Sequence, residues 1–553
     1  MLLPKPFRLS IVAFILILGT ACSKVPKQAN YIPKDAVVVG SLNMKNMSQK
    51  LIWGALTGSE LFDELQKNVK NEESKKAMKD VSNIGLDQLS TVYFYATGNF
   101  KNDATACVII GMKEQGRFEK FIQTNYPQAS ITKKDKYSYA VIENNMHLAW
   151  NKEVAMVFPN ANLATQSEGL EADVTLDQKN ALSVIEQVFN LSKDQSLASN
   201  KHFGELQSDD HDISFWLNYE SMYQQNPEIN EGAAKAFMKP EFFKDAAMAA
   251  GFDFEKGSID AVADYYISSE LSPIFSKYMK NCDAADMIKK LPSGNVAFLM
   301  SYHFQAEMIK ELLAKFKLDG LADIGLMAAG LSMNSLTQAF NGDMLMAITD
   351  LQKGDSLMQT GTPKMEFFMA MTQNDQSSMD QLLGTAVKKG LFVKSGSDFK
   401  LAMGSSDFTV MNDKKYLAMS TKGAYAKSFL DGNNSNKVDV PAAILKNFDN
   451  NPYAFYVDMK KVMQVLPIET TDPDEKALIE EGMNMLSYAE MHGGQMKKGA
   501  SHSEGTLEFV NQNENAFLQI LQFAIKAKKL KDKKDAERPQ EAEVMADTVS
   551  VVN

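Results

Sequence analysis

A chain that repeats itself must fold as a unit able to stand beside its own copy, and this sequence repeats itself in five ordered blocks. Ile32-Pro33-Lys34-Asp35-Ala36-Val37-Val38-Val39 is answered 259 residues later by Leu291-Pro292-Ser293-Gly294-Asn295-Val296-Ala297-Phe298. Each is a proline-containing turn leading into a short apolar strand. Val108 to Met112 is answered by Phe367 to Met371 at the same offset. Both run through a polar turn into a helical pattern, Phe118-Glu119-Lys120-Phe121-Ile122 and Met379-Asp380-Gln381-Leu382-Leu383. Leu148 to Met156 resembles Thr409 to Met419, each a hairpin around an asparagine-containing turn, 261 residues apart. Ile213 to Met222 parallels Tyr453 to Met463 at an offset of 240, and Gly251 to Ile267 parallels Gly493 to Val510 at 242. The last pair places Lys256-Gly257 and Lys498-Gly499 at equivalent turns. Order and slow drift together imply two tandem copies of one unit of about 250 residues. A fainter echo, Val39 to Met47 against Phe215 to Met222, implies that each copy is itself built from two related strand–helix–hairpin modules.

Periodicity sets the fold class. Leu89 to Thr97, Ser258 to Ser268, Asp343 to Thr349 and Thr506 to Val510 read as strands, joined by turns such as Gly98-Asn99 and Asp431-Gly432-Asn433-Asn434. Gln305 to Phe316 and Asp474 to Met485 read as helices, the second opened by Asp474 and Glu475. Hairpins interspersed with helices give an α+β fold, a tandem duplication with antiparallel sheet and packed helices in two similar lobes. The boundaries expected are a first lobe at 33–285 and a second at 286–530. A charged, Pro- and Glu-containing end at 531–553 is expected to be disordered.

The N-terminus carries an address. Lys5 and Arg8 precede the uncharged run Ile11 to Leu18, and Gly19-Thr20-Ala21-Cys22 follows. A positive start, a short apolar run and small residues before the cut are the marks of a signal sequence. The run is too short to span a bilayer comfortably, which disfavours an uncleaved anchor. Thr20-Ala21-Cys22 resembles a bacterial lipobox, although Gly19 stands where leucine is usual. That resemblance implies a lipoprotein signal peptide at 1–22, with lipidation at Cys22. An ordinary secretory signal is the alternative. Acyl chains contribute about 0.8 kcal/mol per buried methylene, so two or three of them anchor a protein durably. Residues 23–32 read as a tether; ten residues reach at most about 33 Å. Ser23-Lys24-Val25-Pro26-Lys27 is basic, whereas surface-exported lipoproteins of Bacteroides-like bacteria carry acidic residues there. By that resemblance the chain stays in the cell envelope on the periplasmic side, most simply at the outer membrane.

Composition narrows the function by exclusion. With 45% hydrophobic and 23% charged residues, the 553-residue chain is globular in character. Its formal charge of −11, without a basic stripe interleaved with aromatics, argues against a nucleic-acid partner. Cys107 and Cys282 are the cysteines beyond Cys22. Cys107 lies within Ala106-Cys107-Val108-Ile109-Ile110, so two free thiols are favoured over a bridge. The 33 methionines either fill cores or form an adaptable apolar binding surface, and core filling is the simpler reading.

The search for chemistry returns little. There is no Walker loop, nucleophile elbow, HExxH or paired CxxC, so no catalytic residue and no cofactor is expected. His492 and His502 flank a glycine-containing hairpin, with Glu490 or Glu504 available as a third ligand, but solvated hairpin side chains are the simpler reading and no metal is expected. Asp209-Asp210-His211-Asp212 lacks the spacing of a calcium loop and reads as a polar turn. Asp355-Ser356-Leu357 and Asp547-Thr548-Val549 resemble a short O-glycosylation acceptor of Bacteroides-like bacteria.

The lipobox, the Tyr31-Ile32-Pro33-Lys34-Asp35-Ala36 opening and the duplicated body resemble a lipoprotein family of the Bacteroidota, domain of unknown function 4836. The resemblance implies location and architecture and supplies no catalytic residues. The function expected is therefore a non-catalytic binding or scaffold lipoprotein, its partners the membrane through Cys22 and an envelope protein complex or an apolar ligand. A carrier of lipid is the first alternative and a hydrolase on an unfamiliar scaffold the second.

Overall fold

A computed structural model describes residues 25–50, 84–98, 104–142, 146–158, 178–226, 238–354, 363–402, 407–432 and 437–549. Cys22 and Asp355-Ser356-Leu357 lie outside them. The described strands are β1 (Val38–Leu42), β2 (Val92–Thr97), β3 (Thr105–Gly111), β4 (Thr132–Lys133), β5 (Ser138–Ile142), β6 (Met146–Trp150), β7 (Val154–Phe158), β8 (Ile213–Asn218), β9 (Ala247–Phe254) and β10 (Ser258–Tyr266). Ten more follow: β11 (Val296–Gln305), β12 (Phe340–Gln352), β13 (Lys364–Gln373), β14 (Phe392–Ser395), β15 (Asp398–Leu401), β16 (Thr409–Asn412), β17 (Tyr416–Ser420), β18 (Tyr453–Asp458), β19 (Leu486–Lys497) and β20 (Ala500–Phe509).

Pairing among the described strands is antiparallel throughout. The first eight are ordered β4-β5-β6-β7-β3-β2-β1-β8. The order β14-β15-β16-β17-β13-β12-β11-β18 recurs in the later strands and continues through β19, β20, β10 and β9. Mixed helix and antiparallel sheet is the α+β class that the hairpin and helix patterns imply.

Helices pack on both groups of strands. Gln115–Asn125 buries Phe118 and Ile122 among Leu148, Trp150 and Ala155, with the Phe118 and Trp150 rings edge to face at 5.4 Å. Gln376–Lys388 buries Met379, Leu382 and Leu383 against Phe399, Val410 and Leu417. Its start is capped by Asp375, whose carboxylate accepts the Ser378 N–H at 2.7 Å. Pro473–Met483 begins one residue before the expected Asp474, because Asp472 accepts the N–H groups of Asp474 and Glu475. The opposite side of the later sheet is filled by Leu299, Leu345, Ala347, Phe368 and Ala370, packed with Met287, Ile288, Phe429 and Phe448.

Three expectations change. The tether is shorter than 23–32: Lys27–Tyr31 forms a 3-10 turn, with Gln28, Ala29 and Ile32 buried. The alternation of small and apolar residues is too short to register as periodicity, yet it docks. The expected tail at 531–553 begins within a helix that runs Ala516–Val549. Lys533 and Lys534 pair there with Asp474 at 2.7 Å and Glu475 at 2.7 Å, so the charged stretch finds partners on a neighbouring helix. The compact units also divide elsewhere. The described residues 25–49 and 84–217 form one, and Lys50 with 218–549 the other. The hairpin β9–β10 joins the second unit through its pairing with β20, which is why the compact boundary does not fall at 285. Among the described residues no helix is long and apolar enough to cross a membrane.

Candidate functional site

The later sheet carries a row of thioethers. Adjacent strands place Met491, Phe455, Met300, Met346, Met369 and Met419 directly opposite one another. Residues in register on neighbouring antiparallel strands share a face at about 4.5–5.5 Å, so these six side chains form one line. All six are half-buried. On one side of the line lies a second row, Leu507, Ala489, Val457, Phe298, Ile348 and Phe367. On the other lie Tyr453, Tyr302, Met344, Met371 and Leu417. Three rows across the sheet thus contain no charged residue. Leu417 and Met419 meet the helix Gln376–Lys388 cluster at one end. Unbranched thioethers adapt to irregular apolar shapes, which makes this face the candidate apolar site.

The other face of the same strands holds the histidines singled out in the sequence. Glu490 and His492 lie opposite Thr506 and Glu504 across β19 and β20. Gly493, at φ +150, and Gly494, at φ +92, carry a bulge that brings Gln495 opposite His502. The result is a chain in which carboxylates and imidazoles alternate. Asp264 meets His502 Nδ1 at 2.7 Å, and Glu504 meets His502 Nε2 at 3.1 Å. Glu504 lies 3.9 Å from His492 Nε2, and Glu490 meets His492 Nδ1 at 3.1 Å. The Glu490 hydrogen bond is the main cause raising the His492 pKa, and the His502 hydrogen bond is the main cause lowering that of Glu504. Both nitrogens of each imidazole already face carboxylates. Among the described residues no group of three ligands converges as a metal site.

The remaining candidates lie elsewhere in the fold. Asp209-Asp210-His211-Asp212 is the turn between the helix Lys201–Ser208 and β8, with Asp210 at φ +62 and its carboxylate accepting from Asn43 at 2.8 Å. Cys107 and Cys282 are buried and unbridged, and burial raises both thiol pKa values. Asp547-Thr548-Val549 lies at the end of the helix Ala516–Val549. Sequence reasoning missed the methionine row as a row. Its members come from six strands, and only register aligns them.

Comparison with known proteins adds a family. The family model described as Domain of unknown function (DUF4836) matches residues 28–490. No curated protein matches the chain. Among solved structures, crystal form IV of TP0453 is similar at 10% identity, covering 45% of this chain and 83% of that one with a TM-score of 0.25. Crystal form III is similar at 10% identity, covering 46% and 87% with the same TM-score. Likeness of that size says nothing about the fold or the activity.

Proposed function

The chain belongs to the DUF4836 family, whose description assigns no activity, and we propose that it is a non-catalytic, lipid-anchored binding protein of the cell envelope that receives an apolar ligand on its methionine row. The observation that carries this reading is the half-buried, charge-free face centred on Met300, Met346 and Met369. Burying apolar surface contributes about 25 cal/mol per Å². A face of this breadth supplies affinity without polar recognition, and thioether flexibility favours ligands of variable shape.

The anchor is assigned to acylated Cys22, on the residues Thr20-Ala21-Cys22 after a short apolar run. The folded body begins near Lys27, so it works close to the membrane that holds the anchor. A tandem duplication underlies the body. Supporting it, the strand order of β1 to β8 recurs in β11 to β18, and Val262 pairs with Glu504, 242 residues apart. That is the offset separating the turn glycines Gly257 and Gly499, so equivalent hairpins pair about a local twofold at Val262 and Glu504. Asp260 with Thr506 at 3.0 Å and Asp264 with His502 at 2.7 Å flank that point.

Native mass spectrometry tests the binding. A chain beginning at Ser23 is expected to retain an apolar small molecule, and a Met346→Glu, Met369→Glu variant to lose it while staying folded. Retention by the variant, or a clean apo mass for the parent, contradicts the reading. Cys22→Ser tests the anchor separately: the protein should leave the membrane fraction, and an unchanged fraction overturns the lipidation.

A further inference from the structure

The helix Asp319–Ala328 turns an apolar stripe to solvent. Leu321, Ile324 and Met327 are 60%, 62% and 65% exposed, and no described residue of the helix is buried. Their spacing of three puts them along one side. A Cβ added at Gly320 or Gly325 would meet nothing within 4 Å, so the same surface is open along its length. Packing within the fold therefore does not account for these side chains.

A second apolar surface adjoins the end of this helix. Lys389 donates to the Ala328 carbonyl at 3.1 Å, which brings the end of the helix Gln376–Lys388 against it. The chain then enters the hairpin β14–β15; Leu391, just before it, and Val393, within it, are 61% and 56% exposed. Residues 388–401 carry four lysines and one aspartate and the helix adds Asp319 and Asp323, so the two segments together hold a net charge of +1 within a protein of net charge −11. Apolar side chains on an open helix beside a local positive excess match the boundary between acyl chains and anionic headgroups.

We propose that the helix Asp319–Ala328 and the hairpin β14–β15 dock together on a phospholipid surface carrying anionic headgroups. The anchored reading bears on this only by placing a membrane within reach. The helix stripe enters the acyl boundary, and Lys388, Lys394 and Lys400 lie against the phosphates. With a lipid chain at one end and this contact on the body, attachment becomes bivalent, which fixes the orientation of the body on the membrane.

The test omits the acyl anchor, so its outcome is independent of Cys22. The chain beginning at Ser23 is mixed with vesicles of phosphatidylethanolamine and phosphatidylglycerol, or of phosphatidylcholine alone, and the bound fraction is read by flotation. Binding is expected, stronger on the anionic vesicles. Leu321→Asp, Ile324→Asp, Met327→Asp together should weaken it by about tenfold or more, without changing the circular dichroism. Lys388→Glu, Lys394→Glu, Lys400→Glu, which spare the Lys389 contact with Ala328, should abolish the preference for anionic vesicles. No binding by the parent, or undiminished binding by the first variant, overturns the proposal. So does a charge variant that keeps the preference. Self-association of the parent in buffer, lost in the first variant, would assign the stripe to a second copy of the chain and also overturn it.

Discussion

His492 lies between Glu490 and Glu504, and its proton belongs to the folded state more than to the unfolded one. An unfolded histidine titrates near pH 6.5, and the folded value is raised, mainly by the Glu490 hydrogen bond. The stabilisation is therefore fully present below about pH 6.5 and is lost as pH rises through the folded value. His492→Gln should lower the melting temperature relative to the parent at about pH 5.5, with the difference shrinking towards about pH 9. A difference independent of pH would mean that the imidazole acts through packing alone. At this scale the sequence was partly legible. The hairpin turn Lys498-Gly499 brings His492 and His502 near each other, because a two-residue turn dictates register. Asp264 was not legible as a partner, since it comes from β10, 238 residues before His502. Cys107 was readable as a buried thiol because its neighbours are apolar on both sides.

Hairpins and their turns were the most readable elements, for the reason that glycine occurs where the backbone must turn left-handed. Gly257 and Gly499 occupy equivalent turns, at φ +74 and φ +86, yet their surroundings differ. A Cβ at Gly257 would lie 2.7 Å from the Gln512 Cα, whereas at Gly499 it would meet nothing within 4 Å. Gly499→Ala should therefore cost about 1 kcal/mol of backbone strain. Gly257→Ala should cost about 1–3 kcal/mol more, because backbone must move. Denaturant midpoints of the two variants decide this, and equal losses would contradict the asymmetry. Elements without such punctuation were misjudged. Lys27–Tyr31 is too short for a period to emerge, and its burial depends on partners remote in sequence. Residues 531–549 have the charge of a disordered tail, but lysines 533 and 534 meet acids on the helix Pro473–Met483 and its cap. Composition alone does not encode that encounter.

Over the whole molecule, the repeat in the sequence and the compact units divide the chain at different places. The hairpin β9–β10 pairs along nine residues with β20, so a cut near 285 removes a neighbour strand from the second unit. A chain of 286–553 exposes the edge of β20 and should aggregate, whereas 218–553 keeps the pairing and should stay soluble; sedimentation of both pieces checks this. Equal solubility would mean that the shared ladder contributes little. The methionine row also belongs to this scale, because six strands must reach their register before it exists. No local pattern around Met300, Met346 or Met369 distinguishes them from core filler. The most direct measurement is photo-crosslinking of the chain beginning at Ser23 with a diazirine-bearing fatty acid, the labelled peptides being identified by mass spectrometry. Labels concentrated on Met300, Met346, Met369, Phe455 and Met491 are the predicted result. Labels scattered over the surface, or absent from β11, β12 and β13, would contradict an apolar binding face.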